Sequence, residues 1–177
     1  MGSLVERLAG RFPPEELRVA RPEDASGMRA AVAAVVRPGA SGEELLFIKR
    51  ADRDGDPWSG HMAFPGGRRE ASDATLLDTA ARETLEEVGL DLHALARPIV
   101  RLPDVMPYSR MPHRLTVTAF LFALERDAPL ALNEEVAAAV WSPLEPILRG
   151  EGATTFRFLR DGVAFDLPAF KVGRAAV

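Results

Sequence analysis

Apolar residues recur at helical spacing between Asp73 and Val88, where Leu76, Leu77, Ala80, Ala81, Thr84, Leu85 and Val88 fall along one stripe. Asp73 is placed to cap the start of this helix and Gly89 to close its end. Before it, Met28 to Val36 and Leu45 to Ile48 are short apolar runs separated by Pro38, Gly39, Ser41 and Gly42, which reads as a hairpin of two buried strands. After it, Ile99 to Leu102, Leu115 to Leu124 and Ala137 to Trp141 read as strands, and Leu144 to Leu148 as a short helix behind Ser142-Pro143. Phe156 to Leu159 and Val163 to Leu167 form a terminal hairpin pattern around Asp161-Gly162. Ser3 to Ala9 has the makings of a short helix ended by Pro13 and Pro14, and the chain to Gly27 reads as a polar, irregular lead-in. Strand runs enclosing one long helix, with others near the end, predict an α/β fold in which a mixed sheet lies between helices.

The long connection matters most for chemistry. Ala51 to Gly67 is dense in Asp, Gly and Pro and exceeds the usual connection of about 4–6 residues, a length common among functional loops.

With 177 residues, 47% of them hydrophobic, the chain is read as one domain over 1–177, of which 1–27 is the lead-in. A formal charge of -4 gives no basic footprint, so a long nucleic acid is not an expected partner. The absence of cysteine excludes disulfides, thiolate nucleophiles and Cys-ligated zinc, so any metal must sit on oxygen or imidazole. His61, His93 and His113 form no metal-like spacing, although His61 lies in the long loop. The N-terminus has no apolar signal region, and no apolar run approaches the roughly 20 residues of a membrane helix. A soluble, cytoplasmic protein without a membrane partner is the expectation.

Glu83, Glu86 and Glu87 stand three and four positions apart, so a helix presents them as one carboxylate cluster opposite its apolar stripe. One reading is a solvated, salt-bridged face. Their position argues for another, because negative charge in the last turns of a helix opposes the macrodipole by roughly 0.3–1 kcal/mol per group. The like-charged pair Glu83/Glu87 adds to that, and only Arg82, four residues before Glu86, compensates locally. A hard divalent cation such as magnesium reverses these signs, since it takes carboxylate oxygens and keeps waters and a phosphate as its other ligands. Upstream, Phe64-Pro65-Gly66-Gly67 leads toward the helix. Alone it is a turn; its glycines also allow backbone to approach a ligand closely.

Gly67 followed by Arg82-Glu83-Thr84-Leu85-Glu86-Glu87-Val88-Gly89-Leu90 resembles the Nudix box. Thr84 stands where the box has an apolar residue, the spacing from Gly67 to Arg82 is one residue longer than usual, and Ala74 occupies the position of a customary Glu. This lengthening, with Asp73 and with Gly60 ahead of Phe64-Pro65-Gly66-Gly67, resembles the branch of the family that hydrolyses coenzyme A and its derivatives. Asp56 stands where that branch has an Arg.

The resemblance implies a Nudix-like α/β/α sandwich with a central mixed sheet and a catalytic loop-helix-loop. It implies Mg2+, with Mn2+ as a substitute, held by Glu83, Glu86, Glu87 and the Gly67 carbonyl against a pyrophosphate. Arg82 is expected to orient Glu83 or Glu86, and Glu83, Glu134 or Glu135 to take the proton of the attacking water. Lys49, Arg50, Phe64 and Gly66 are candidates for substrate contact. The expected substrate is a small nucleotide-derived pyrophosphate, coenzyme A or an acyl-CoA first. ADP-ribose or a nucleotide sugar is the alternative, as is a nucleotide-sensing module without catalysis, and a homodimer is the expected assembly.

Overall fold

The computed structural model describes residues 3–8, 14–17, 19–21, 24, 27–54, 59–106, 115–160, 163–172 and 175–176. Their elements run α1 (Leu4–Leu8), α2 (Pro14–Leu17), β1 (Met28–Gly39), β2 (Gly42–Arg50), β3 (Met62–Ala63), β4 (Gly66–Arg68), α3 (Leu76–Val88) and α4 (Leu92–Leu95). They continue as β5 (Ala96–Arg101), β6 (Leu115–Leu124), β7 (Val136–Pro143), α5 (Leu144–Leu148), β8 (Ala153–Arg160), β9 (Val163–Val172) and β10 (Ala175–Ala176).

β1 organises the main sheet. Its alternation sends Ala31, Ala33 and Val35 to one face and Ala34 and Val36 to the other, and both sets are buried. A strand covered on both sides reads as a continuous apolar run, which is why MRAAVAAVV shows no polar alternation. The sheet order is β3-β2-β1-β6-β5, with β7 on β2 and β4 on β1. β1 and β6 run parallel and the other pairs antiparallel, so the sheet is mixed.

The two faces carry different layers. Leu76, Leu77, Ala80, Ala81 and Val88 of α3 pack with Ala31, Val35, Ile48, Phe120 and Phe122. Leu4, Val5 and Leu8 of α1 and Leu144 and Ile147 of α5 cover Val36, Phe47 and Leu121 on the opposite face, where Val172 of β9 joins them. Full burial of a Leu, Ile, Val or Phe side chain contributes roughly 1.5–3 kcal/mol, and with helices covering both faces of the sheet this is the α/β/α sandwich the pattern predicts. β8, β9 and β10 form a separate small sheet.

Three expectations change, and one element is added. The cap of α3 is Thr75, whose hydroxyl accepts the Asp78 N–H while the Asp78 carboxylate accepts the Thr75 N–H, a capping box that displaces Asp73 from that role. The predicted first helix is seen as Leu4–Leu8, but the lead-in is not simply polar: Pro14 begins a second helical turn, Leu17 is buried, and buried Asp24 binds Arg29 and Arg101. The connection from Ala51 to Gly67 contains strand, because β2 occupies the later half of β1 and leaves Ala30 to Val32 to pair with β4. Asp91 caps α4, a turn too short to carry its own periodicity. Asp56, His113 and the Asp161-Gly162 turn lie outside the described residues.

Candidate active site

The site forms where β4 crosses the end of α3. Pairing of Val32 with Gly66 and of Ala31 with Gly67 draws the Phe64-Pro65-Gly66-Gly67 turn over the sheet. Gly66 has φ +151°, and a Cβ there would lie 2.3 Å from the Ala31 carbonyl oxygen and 2.6 Å from the Val32 Cα, so backbone forbids any other residue. A Cβ on Gly67 would meet the Glu83 carboxylate, at 2.4 Å from its Cδ. Glycine at 67 is therefore what lets Glu83 lie directly against the turn.

Glu87 is buried, 3% exposed, and accepts the Gly66 N–H at 2.9 Å. Burial pushes its carboxyl up to about 7, nearby Glu83 and Glu135 push the same way, and the Gly66 N–H and Arg50 only partly oppose them. Burial also raises Glu83, against the charge and hydrogen bond of Arg82. Glu86 remains half exposed. The expectation of three carboxylates opposite the apolar stripe is corrected in part: Glu87 lies inside, beneath the turn, and Leu85 of the presumed stripe is 48% exposed.

Arg82 is the hub beside them. Its Nε and Nη2 bind Asp73 Oδ1 and Oδ2 at 2.9 and 3.1 Å, and its Nη1 reaches Glu83 at 3.0 Å and Glu86 at 3.2 Å. Nη2 also donates to the Arg68 carbonyl, which fastens the end of β4 to the helix. Asp73 is buried and accepts from the Glu70 N–H and the Thr79 hydroxyl. Burial alone would raise its carboxyl; the Arg82 hydrogen bonds, with those of Glu70 and Thr79, hold it below the usual range. Asp73 thus does for Arg82 what Ala74 cannot. The one-residue-longer spacing was the visible signal for that substitution.

The other candidates divide between the faces. Arg50 lies close enough to Glu87 to favour its charge, whereas alternation turns Lys49 toward the opposite face, beside Gly60. Phe64 stacks on Phe47 at 5.1 Å and packs with the core on that opposite face. Glu135 is held at 3.0 Å by Arg53, a partner the sequence did not suggest, and the Ala51 N–H donates to the Glu135 carbonyl. Glu134 is exposed. His93 meets Asp78 at 3.4 Å, away from these carboxylates along α3.

Among the described residues no three acidic or imidazole side chains stand together in a ready metal-binding group, since Arg82 engages Glu83 and Glu86 while Glu87 turns to Gly66. The donor chemistry nevertheless fits a hard divalent cation: all-oxygen donors, a buried carboxylate whose anion lacks a full counter-charge, and a glycine backbone within reach of it. A cavity of about 880 Å3 opens elsewhere, under α1 and α5 and lined by Leu4, Val36 and Leu144, on the face away from α3. It contains none of these groups.

A family model described as NUDIX domain matches residues 27–161. An uncharacterised protein of Schizosaccharomyces pombe is 42% identical over 115 residues, 62% of this chain and 35% of that one. The mitochondrial coenzyme A diphosphatase NUDT8 of Homo sapiens is 31% identical over 138 residues, 73% of this chain and 54% of that one. The matched stretch thus spans from about a third to about half of these relatives. Among solved structures, an Ap4A hydrolase of C. elegans in a binary complex superposes with a TM-score of 0.57 at 20% identity, covering 70% of this chain and 85% of that one. The NUDIX domain of Shewanella oneidensis NrtR, complexed with ADP ribose, superposes with a TM-score of 0.54 at 15% identity, covering 78% and 87%. At these identities the superpositions establish the fold.

Proposed function

This chain belongs to the NUDIX family, and from that premise we propose that it hydrolyses the pyrophosphate bond of a nucleoside diphosphate derivative, coenzyme A or an acyl-CoA first among them. The observation that carries the reading is the meeting of the Gly66-Gly67 turn with Glu83 and Glu87, which gathers backbone and carboxylate oxygen at one place. Glu83, Glu86, Glu87 and the Gly67 carbonyl would hold the divalent cation, Mg2+ or Mn2+. When bound, that ion supplies charge neutralisation for the phosphates and acidifies a water.

The protein's own part is positioning. Arg82, locked by Asp73, sets Glu83 and Glu86 on one side of the helix, and the Gly66 N–H fixes one oxygen of Glu87 so that the other has a defined direction. Glu135 stands near Glu87 and is the group we assign to accept the water's proton, with Glu83 as its rival within the box. Arg50 is placed to meet phosphate charge on the same face. Hydrolysis through such a site needs no Ser or Cys nucleophile, because phosphoryl transfer depends on alignment and charge stabilisation.

The coenzyme A preference is supported by Gly60, the longer spacing, Asp73, and the similarity to a protein named as a coenzyme A diphosphatase. We place the enzyme in the cytoplasm as a homodimer. Incubation with Mg2+ and, separately, coenzyme A, ADP-ribose and a dinucleoside polyphosphate, with products separated by chromatography, tests the assignment. Faster production of 4'-phosphopantetheine and 3',5'-ADP than of any other product pair supports it. Preferential cleavage of ADP-ribose overturns the coenzyme A assignment, and tight nucleotide binding without turnover favours a sensing module.

A further inference from the structure

The chain before Phe64 runs alongside the end of β2. Ile48 pairs with Ala63 and Lys49 with Met62, and the Arg50 N–H continues the ladder by donating to the His61 carbonyl at 3.0 Å. Opposed residues in an antiparallel pair project to one face, and successive residues alternate. Ala63 packs with the core beneath α3 and Met62 with the core on the other side. His61 therefore returns to the α3 face, beside Arg50 and on the side of the sheet where Glu87 lies.

There it meets a residue from a different sheet. Phe156 of β8 lies against His61 with ring centroids 4.9 Å apart and planes at 78°. Both residues are partly exposed, so this edge-to-face pair is not sealed in a core. The β8–β9 hairpin, whose Ala169 and Val172 are buried, meets His61 through Phe156.

We propose that His61 and Phe156 form the surface on which the flat heterocyclic base of the substrate rests, which makes the β8–β9 hairpin a specificity arm of the active site. The proposal rests on the pyrophosphatase reading above. Its physical basis is a chain of neighbours: Arg50 lies within electrostatic reach of Glu87, its N–H bonds the His61 carbonyl, and His61 carries a partly exposed ring pair with Phe156. A nucleoside diphosphate derivative has the same polarity, charged at the anhydride and flat and apolar at the base. Base-aromatic stacking requires only a π face, so it distinguishes substrates that carry a base from those that do not.

The competing role for the ring pair is simply to pin the hairpin, and Phe156→Leu separates the two because it keeps apolar bulk and removes the ring. Calorimetric binding of ADP and of inorganic pyrophosphate, each with Mg2+, is measured on the whole protein. Phe156→Leu and His61→Ala are expected to weaken ADP by about tenfold, with pyrophosphate changed less than about twofold, while Phe156→Tyr stays near wild type. Should Phe156→Leu fail to fold, His61→Ala reads the same contrast. Unchanged ADP affinity in the folded variants, or equal loss of both ligands, overturns the proposal. If the wild type binds neither ligand, the pyrophosphatase reading itself fails and the proposal falls with it.

Discussion

Asp73 grips Arg82 through two parallel hydrogen bonds of 2.9 and 3.1 Å, and the same guanidinium reaches Glu83 and Glu86. A fork of this kind fixes direction as well as distance. Asp73→Asn is expected to cost about 2 kcal/mol, below the roughly 3–5 kcal/mol for breaking a fully buried pair because Arg82 is one-fifth exposed. Urea unfolding reads that loss. Turnover is expected to fall more in kcat than in KM, since the carboxylates lose alignment while the substrate's other contacts remain. Equal rates in variant and parent would remove Asp73 from the account.

Adjacent glycines separate folding from chemistry. Gly66→Ala drives a Cβ into the backbone of Ala31 and Val32 at a positive φ, so a loss of about 3 kcal/mol or failure to fold is expected. Gly67→Ala meets only the flexible end of Glu83, so the protein is expected to fold with a melting temperature within a few degrees of wild type and to lose most of its turnover. Thermal melts beside rate measurements check the contrast. A stable, active Gly66→Ala would contradict the geometry.

Acid stability follows from a second set of carboxylates. Burial opposes the charge on Asp24, but hydrogen bonds from Arg101 and Arg21 and the charges of Arg101 and Arg29 prevail and lower its pKa. Asp104 is likewise lowered against burial, by Thr118, Arg29 and Arg101. Such groups contribute fully above the unfolded carboxyl value of about 3.9 and lose that contribution as pH falls through their lower folded values. The melting temperature is therefore expected to drop steeply below about pH 4, and Asp24→Asn to be less stable at neutral pH with a shallower acid slope. A variant with the parental slope would show that this network does not govern the acid limb.

Glu87 gives the opposite sign. Its folded pKa of about 7 exceeds the unfolded value of about 4.3, so its favourable contribution is complete below the unfolded value and disappears as pH rises through about 7. Metal-free protein is expected to melt a few degrees lower at pH 8 than at pH 5.5, and Glu87→Gln to flatten this difference. Added Mg2+ is expected to raise the melting temperature more at pH 8 than at pH 5.5. A metal-free profile identical in parent and variant would show that Glu87 carries no such penalty.

The sequence made the α3 stripe, the β1–β2 hairpin and the β6 span readable because each is set by local periodicity or turn residues. What it left obscure depends on tertiary crossing. Glu87 has the same spacing as Glu83 and Glu86, yet only the passage of β4 over the helix buries it. Asp73 resembles a helix cap until Thr75 and Asp78 take that place and free its carboxylate for Arg82. Alternation beyond a strand's end was equally hidden: Lys49 and Arg50 look alike in sequence and face opposite sides of the sheet. Arg53 and Glu135 lie 82 positions apart, and no local pattern joins them.

The most direct test is the rate of pyrophosphate-bond cleavage in coenzyme A as a function of Mg2+ concentration, in the parent and in Glu87→Gln. The account predicts a saturable dependence on the ion in the parent, abolished by chelation, and a fall in kcat of about 100-fold or more in the variant with its fold intact. Parental turnover in Glu87→Gln, or full turnover after chelation, would contradict it.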